Sequence, residues 1–469
     1  MASTGERVSY FYPEWTIQGR GKEPSSGGAV TVGFRGTVAV CAMALIVSTL
    51  AGCSDGKGAG EPASGKDGAD TTQAEKPPVP VTVKFAMSGS LITAEDFDTF
   101  VKVPVSKKYP HITVERIDFS QKGTTLTELV AAREIPDLYM NGALDLSQYA
   151  ELGLEYSIEE LIKTNKFDTA RINPEILNTI KSTTGRKDLI GLPFYNQAFA
   201  LFYNKDLFDK MASPYPKDNM TWEEIRDLAV KFRRDDGGVS YYGLYPDNIF
   251  RGAYQLSLPW VDVQTNKSML QSPGWKELYE LWYSLYNVPG FPPKGTDNLG
   301  LFTKGSLAMI ASSATRARSM RTVPGLNWDI VTYPQNKKAP GYGARVDPNF
   351  LLIPNGAKQK EAAFKVISVM LSDEVQLDMS RHLWMSVLTS QPIHNEFGKT
   401  YPELASKNMV AFTKPKMAGI QTFGGVAAHT FANNAFDEIV YSGKDINTAM
   451  READEKLNKA LEELKQKTK

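Results

Sequence analysis

Of all side chains in this sequence, Cys53 has the context that most clearly predicts a covalent modification. It follows Leu-Ala-Gly at residues 50–52, at the end of an uncharged apolar run that begins at Thr37. The run is shorter than the ~20 residues of a membrane-spanning helix, and with Arg35 before it the run fits the apolar part of a signal peptide. This order matches the bacterial lipobox, in which the cysteine sulfur receives a diacylglycerol and cleavage leaves the cysteine first. We therefore predict that Cys53 is lipidated, with fatty acids such as palmitate as its anchor in the membrane.

The segment after Cys53 has the composition of a flexible tether. Residues 54–79 contain no aromatic residue and almost nothing apolar, so burial cannot offset the entropy cost of ordering them. We predict a signal peptide with an atypical N-terminal extension at residues 1–52, and the lipidated cysteine with its tether at residues 53–80. Translation from Val30 or Val32 is an alternative explanation of the long extension. A buried helix with a chance cysteine is the structural alternative, but it does not explain the polar tail.

The other residues of chemical interest do not form a recognisable catalytic pattern. The four histidines have no metal-binding spacing, and no Gly-x-Ser-x-Gly nucleophile motif occurs. They are His111, His382, His394 and His429. Carboxylates are abundant, so counting alone leaves a two-carboxylate glycosidase open. If export removes the segment with Cys41, the folded part has no disulfide and no thiolate pair for a metal. We expect no cofactor and no metal.

The overall charge also limits the class of partner. The chain has 53 basic and 53 acidic residues, so it has no net positive charge to attract nucleic acid. Its length allows two or three compact units at ~100–200 residues each. No nucleic-acid partner is expected.

Strands and helices alternate along the folded part. Strands are predicted at residues 81–87, 112–119 and 137–140, and helices at residues 93–108, 124–133, 221–232, 362–370 and from 445 onward. Thr221 and Glu224 form a capping-box pattern at the start of one helix. The alternation predicts an α/β protein with a mostly parallel sheet covered by helices.

Four motifs in order carry a family resemblance. Residues 191–208 read GLPFYNQAFALFYNKDLF, followed by TWEE at 221–224, FTKGSLAM at 302–309 and IPNGAK at 353–358. Together they resemble the family 1 extracellular solute-binding proteins of ABC importers, which include the maltodextrin-binding type. The resemblance covers residues 81–465, and it implies a binding protein rather than an enzyme.

The resemblance implies a two-lobed, periplasmic-binding-protein-like fold of the class II type, in which each lobe is a mostly parallel sheet flanked by helices. Strands that cross between discontinuous lobes act as the hinge. Lobe 1 would take residues 81–197 plus 348–415, and lobe 2 residues 200–345 plus 420–469. Such a monomer closes on a small solute, here a sugar or oligosaccharide, and delivers it to ABC permease subunits from the outer face of the cell membrane. A lipoprotein sensor that feeds a signalling partner is the alternative, and a secreted carbohydrate-active enzyme is a further one.

Candidate ligand contacts lie at the carboxyl ends of strands, at the crossings, and where relatives place aromatic rings. They are Ser88, Gly89, Asn141, Tyr195, Asn196, Gln197, Tyr254, Trp260, Ser312, Ser313, Arg316, Arg345, Asp347 and Phe423. Rings that stack on sugar C–H faces, with amides that both donate and accept hydrogen bonds, suit a carbohydrate. After Met309 relatives often carry a tryptophan that is absent here, which weakens the carbohydrate prediction.

Each candidate also has a structural explanation that the residues leave open. The loop residues after strands could cap helices. Tyr195 could pack at the hinge, and Trp260 could belong to a core. Arg316 and Arg318 could form surface ion pairs, and Arg345 could pair with Asp347 at the hinge. Phe423 could anchor the last helices.

Overall fold

The computed structural model describes residues 78–89, 91–262, 264–289, 291–419, 426 and 428–467. The predicted signal peptide, Cys53 and most of the tether lie outside these residues, as does Phe423. All of the described residues belong to one compact unit.

The described residues form short strands and helices in alternation. The strands are β1 (Val81–Met87), β2 (Ile112–Asp118), β3 (Leu138–Gly142), β4 (Gly191–Asn196), β5 (Phe199–Asn204), β6 (Arg234–Asp236), β7 (Val239–Tyr245), β8 (Val261–Asp262), β9 (Lys267–Ser268), β10 (Leu307–Ser313), β11 (Trp328–Thr332), β12 (Tyr342–Arg345), β13 (Pro348–Leu352), β14 (Met385–Ser386) and β15 (Lys416–Ala418). The helices are α1 (Ala94–Phe97), α2 (Val103–Lys108), α3 (Leu126–Ala131), α4 (Leu146–Glu151), α5 (Glu159–Thr164), α6 (Pro174–Thr184), α7 (Lys205–Lys210), α8 (Trp222–Ala229), α9 (Ile249–Gln255), α10 (Pro273–Tyr286), α11 (Asn298–Thr303), α12 (Thr315–Met320), α13 (Lys360–Met370), α14 (Asp373–Arg381), α15 (Gln391–His394), α16 (Ala428–Ser442) and α17 (Ile446–Lys467). A π-helical turn at Asp98–Lys102 joins α1 to α2, so the predicted helix at 93–108 is confirmed as one helical stretch.

Lobe 1 is built on a six-stranded sheet in the order β14-β4-β13-β3-β1-β2. Alternation in β1 buries Val83, Phe85 and Met87, which is why this segment forms a strand with a packed face. Helices including α2, α6 and α13 contribute to the same hydrophobic core, which buries β1, β3 and β13. The carboxyl ends of β1 and β3 therefore open at one edge of a rigid sheet.

Lobe 2 is built on a five-stranded sheet in the order β11-β5-β10-β7-β6. Its core contains fully buried tryptophans from α8 and α10, namely Trp222, Trp275 and Trp282. The predicted capping box is confirmed at α8, where the Glu224 N–H donates to Thr221 Oγ1 at 3.3 Å and the Thr221 N–H donates to Glu224 Oε2 at 2.7 Å. The long helix α17 packs on this core through Leu457 and Leu461.

The two-lobed α/β architecture is confirmed, but the sheets are mixed and the expected mostly parallel pairing is wrong. Only β1–β2, β1–β3 and β7–β10 are parallel pairs among the named strands of the two large sheets. The chain leaves lobe 1 at the end of β4 and returns through β13, and it enters lobe 2 through β5. A strand that enters a sheet at the end where the neighbouring strands finish must have the opposite direction. For this reason β13 and β5 pair antiparallel with their neighbours.

The crossings between the lobes are short and tied to one another. Gln197 and Ala198 link β4 to β5, and β12 leads into β13. Asn196 Oδ1 accepts a hydrogen bond from the Asp347 N–H at 2.7 Å, and the Gln197 N–H donates to the Asp347 carbonyl at 3.1 Å. These bonds hold two crossings side by side, which suits rotation of one lobe against the other.

A third hydrophobic cluster contains residues from both sides of the crossings. It joins Phe202 and Trp328 of lobe 2 to Leu383 and Met385, and it includes Phe412. In the part of the chain that the structure describes, none of the helices has both the length and the apolar character that crossing a membrane requires.

Candidate ligand-binding cleft

The turn after β1 contains Gly89, and any larger residue there would have to displace the side chain of Asp118. The Gly89 N–H donates to Asp118 Oδ1 at 3.1 Å, and a Cβ built on Gly89 would lie only 2.5 Å from Asp118 Oδ2. The Ser88 carbonyl accepts a hydrogen bond from the Leu91 N–H at 3.0 Å. The predicted residues Ser88 and Gly89 thus form a tight loop at the carboxyl end of β1.

The end of β3 holds a carboxyl group that the sequence analysis missed. The predicted Asn141 donates from Nδ2 to the Tyr139 hydroxyl at 2.8 Å and accepts from the Gly142 N–H at 2.8 Å, so its polar atoms are satisfied within lobe 1. Four residues after Asn141, Asp145 is half-buried, and burial, then the negative charge of Asp347, raises its pKa from 3.8 to about 6. Its position after a strand was the signal that could have found it.

The crossing residues are packed against the lobes. Tyr195 is 2% exposed, its hydroxyl donates to the Leu91 carbonyl at 3.4 Å, and its ring meets the edge of Trp384 at 4.6 Å between centroids. Asn196 is 1% exposed and binds the second crossing through Asp347. In this conformation the ring of Tyr195 is covered by protein, whereas Gln197 is only half-buried.

Arg251 of α9 links lobe 2 to the second crossing. Its Nε lies 2.9 Å from Asp247 Oδ2, and its Nη1 lies 3.1 Å from Asp347 Oδ2. The guanidinium also stacks on the Phe199 ring at 4.0 Å. Burial raises the pKa of Asp247 although Arg251 opposes the change, and the two carboxylates keep the pKa of Arg251 high despite burial. Of this cluster, only Asp347 was predicted from the sequence. Asp247 and Arg251 were missed because an Asp and an Arg four residues apart are common on exposed helices.

A second ion pair joins the two lobes. Arg318 of α12 binds Asp96 of α1 through both nitrogens, with Nη2–Oδ1 at 2.7 Å and Nη1–Oδ2 at 3.1 Å. The same guanidinium lies 5.2 Å from the ring of Trp384 in lobe 1. Arg318 was considered in the sequence for surface ion pairs, yet its partner Asp96 is buried and belongs to the other lobe.

The remaining candidates in lobe 2 fall into two groups. Trp260 is fully buried and packs on Trp275 at 4.6 Å, and Tyr254 is 3% exposed beside it, so both rings lie in the lobe 2 core. The two serines lie at the end of β10, where Ser312 pairs with Ala200 of β5 and the Ser313 hydroxyl shares a hydrogen bond of 2.7 Å with the Thr315 hydroxyl.

The two candidate arginines, Arg316 and Arg345, lie in different elements. Burial lowers the pKa of Arg316, at the start of α12. The backbone of Arg345 lies in β12, where it pairs with Ala418. Among the described residues, no cluster of His, Cys, Asp and Glu is arranged to hold a metal ion.

The structure therefore brings some candidates together and separates others. Asn196, Asp347 and Tyr195 lie at the crossings with Arg251, Asp145 and Trp384 around them, while Tyr254 and Trp260 lie in a core. The candidate site therefore lies where the two lobes meet, and two ion pairs join the lobes there.

The comparisons with known proteins agree with this architecture. The sequence model described as "Bacterial extracellular solute-binding protein" matches residues 103–405. A binding protein of Brucella abortus is 22% identical over an alignment of 306 residues, and the match covers 61% of this chain and 70% of the relative. The ABC substrate-binding protein Lmo0181 of Listeria monocytogenes, solved in complex with cycloalternan, superposes with a TM-score of 0.68 and 19% identity over 81% of this chain and 99% of that chain. The sugar-binding protein MalE of Xanthomonas citri superposes with a TM-score of 0.64 and 20% sequence identity, over 82% of this chain and 98% of that chain.

Proposed function

Because this chain belongs to the bacterial extracellular solute-binding protein family, we propose that it captures a carbohydrate between its two lobes for an ABC importer. Two of the structural relatives are, by their descriptions, a cycloalternan complex and a sugar-binding protein. Open and closed forms of such a hinged protein present different outer surfaces, so a permease can distinguish loaded from empty protein. The proposal assigns capture and delivery to a monomer and no catalysis.

The observation that carries the proposal is the pair of charged contacts between the lobes. Arg251 with Asp347 lies close to the hinge, and Arg318 with Asp96 lies between α12 and α1. Each contact uses one residue from lobe 2 and one from lobe 1 or the crossing, so both depend on how far the cleft is closed. A solute held between them would be buried on most sides, as ligands of concave sites usually are.

The test is a thermal-shift screen of the chain purified from residue 54 onward. Sugars, oligosaccharides and polyols would be compared with peptides and phosphate esters. A ligand at 100 times its Kd should stabilise the protein by about 2.7 kcal/mol. The proposal fails for carbohydrates if none of them raises the melting temperature while another class does.

A matched pair of variants places the binding in the cleft. Arg251→Ala should weaken binding of any solute found, because it removes the ion pair between lobe 2 and the crossing. Arg233→Ala is the control, since Arg233 pairs with Asp235 at the exposed edge of lobe 2. Equal affinities of both variants would place the ligand elsewhere. Recovery of the sugar unchanged after incubation with protein would agree with the absence of catalysis.

We also propose that the protein is held at the outer face of the cell membrane through Cys53. The order of apolar run, cysteine and polar segment supports this anchor. Labelling cells with a fatty-acid probe should mark the native chain and leave Cys53→Ala unmarked. Normal labelling of that variant would refute the anchor.

A further inference from the structure

The backbone at the end of β3 leaves a small space where a side chain would normally project. Gly142 has φ −74° and ψ 165°, a conformation that any residue can adopt. A Cβ built on Gly142 would lie 3.8 Å from Asp145 Oδ2 and 3.8 Å from Asn349 Oδ1, with no closer neighbour. Two acceptor oxygens thus face one unfilled position beside the second crossing.

Neither oxygen receives a hydrogen bond from the described part of the protein. Asn349 is 2% exposed, and its buried Oδ1 has no partner there. The Asp145 carboxylate likewise makes no hydrogen bond or ion pair with a described residue, although one of its oxygens borders the same unfilled position. A buried acceptor without a donor costs free energy, so a ligand that supplies donors here is favoured.

The charges around Asp145 favour a cation over a neutral donor. The negative charge of Asp347 repels that of Asp145, and Arg251 is already shared between Asp347 and Asp247. Tyr139 on β3 also interacts with Asp145; its phenol is neutral at pH 7, and burial raises its pKa further. Asp145 therefore keeps a negative charge without a described cation beside it.

We propose that Asp145, Asn349 and the open face of Gly142 form a subsite for the ammonium group of an amine-bearing sugar. This subsite deepens the proposed function and rests on it. A hydroxyl has one proton to donate and could satisfy one of the two acceptors, whereas an ammonium group has three donors and a positive charge. Phosphate or carboxylate groups are excluded, since they bring only acceptors.

Two substitutions test the subsite without disturbing the fold. Gly142→Ala places a methyl group in ordinary van der Waals contact with both acceptors and fills the space. Asp145→Asn keeps the shape and removes the charge. Asp98→Asn is the control for net charge, because Asp98 is exposed on the π-helical turn of lobe 1. Melting curves of all variants confirm that each is folded.

The ligands for the test are glucosamine oligomers, their N-acetylated forms and neutral glucose oligomers of equal length, measured by titration calorimetry at neutral pH. The native chain should bind the amine form at least about tenfold more tightly than the other two. Gly142→Ala should lower the amine affinity by about tenfold or more, Asp145→Asn should abolish the preference, and Asp98→Asn should keep it.

The outcomes separate the subsite from the function on which it rests. Binding of neutral sugars without a preference for the amine, or an amine preference that survives Asp145→Asn, would overturn the subsite and leave carbohydrate capture standing. An absence of binding by every carbohydrate, amine-bearing or neutral, would overturn both.

Discussion

Replacing Asp145 by Asn should make the ligand-free protein more stable at neutral pH. Burial and the charge of Asp347 raise the pKa of this carboxyl from 3.8 to about 6, so the folded protein holds the proton more tightly than the unfolded chain does. Above about pH 6 the carboxylate is ionised in both states, and its charge destabilises the folded one. Below about pH 4 it is protonated in both states, and the penalty is absent.

The size of the effect follows from the two pKa values. A change from 3.8 to about 6 corresponds to about 3 kcal/mol of free energy of unfolding at neutral pH. Because the side chain is only half-buried and water screens part of its charge, we expect a gain of about 1–3 kcal/mol. With an unfolding entropy of about 2 cal/mol/K per residue, a chain of this size should melt about 1–4 °C higher.

Calorimetric melting of the native chain and Asp145→Asn at about pH 7.5 and about pH 4 measures the difference. The variant should be the more stable at the higher pH and equal to the native chain at the lower one. Asp98→Asn is the control, because its exposed carboxyl should give little difference at either pH. A destabilised Asp145→Asn at neutral pH would mean that the carboxylate has a stabilising partner and would refute the reasoning.

Other predictions concern the contact between lobes, the helix cap and the anchor. Arg318→Ala should enlarge the ligand-free protein in X-ray scattering, because it leaves Asp96 buried without its partner and favours opening; an unchanged radius of gyration would contradict this. Thr221→Ala should lower the free energy of unfolding by about 1 kcal/mol in chemical denaturation, since it removes the cap of α8, and no loss would show that the cap is replaceable. Cys53→Ala should shift the protein from the membrane fraction to released or unprocessed chain on cell fractionation, and a membrane fraction of unchanged size would exclude the anchor.

Local patterns predicted the elements well, because strands and caps depend on residues close in sequence. The alternation at β1 and the Thr221–Glu224 box needed no knowledge of the rest of the fold. The strand directions were missed because they depend on where the chain crosses between lobes, which alternation of strands and helices does not reveal.

The cleft was less predictable than the fold. The sequence does not show whether a tryptophan faces a core or a ligand. Trp260 was predicted to contact the ligand, but it is buried in a core. Arg318 and Asp96 are 222 residues apart, so their pairing follows only from the way the two lobes meet. Asp145 was overlooked because a single acid after a strand usually lies in solvent, and only the fold brings Asp347 and Asn349 beside it.

The position of Trp384 gives the protein an intrinsic optical signal. Its indole is 5% exposed and has the Arg318 guanidinium of the opposite lobe 5.2 Å from its ring. Of the other tryptophans among the described residues, four lie in the core of lobe 2 and Trp328 lies in the third hydrophobic cluster. Separation of the lobes would withdraw the cation and admit water to the ring, so a change of emission on mixing with a solute would time the closing motion without any added dye.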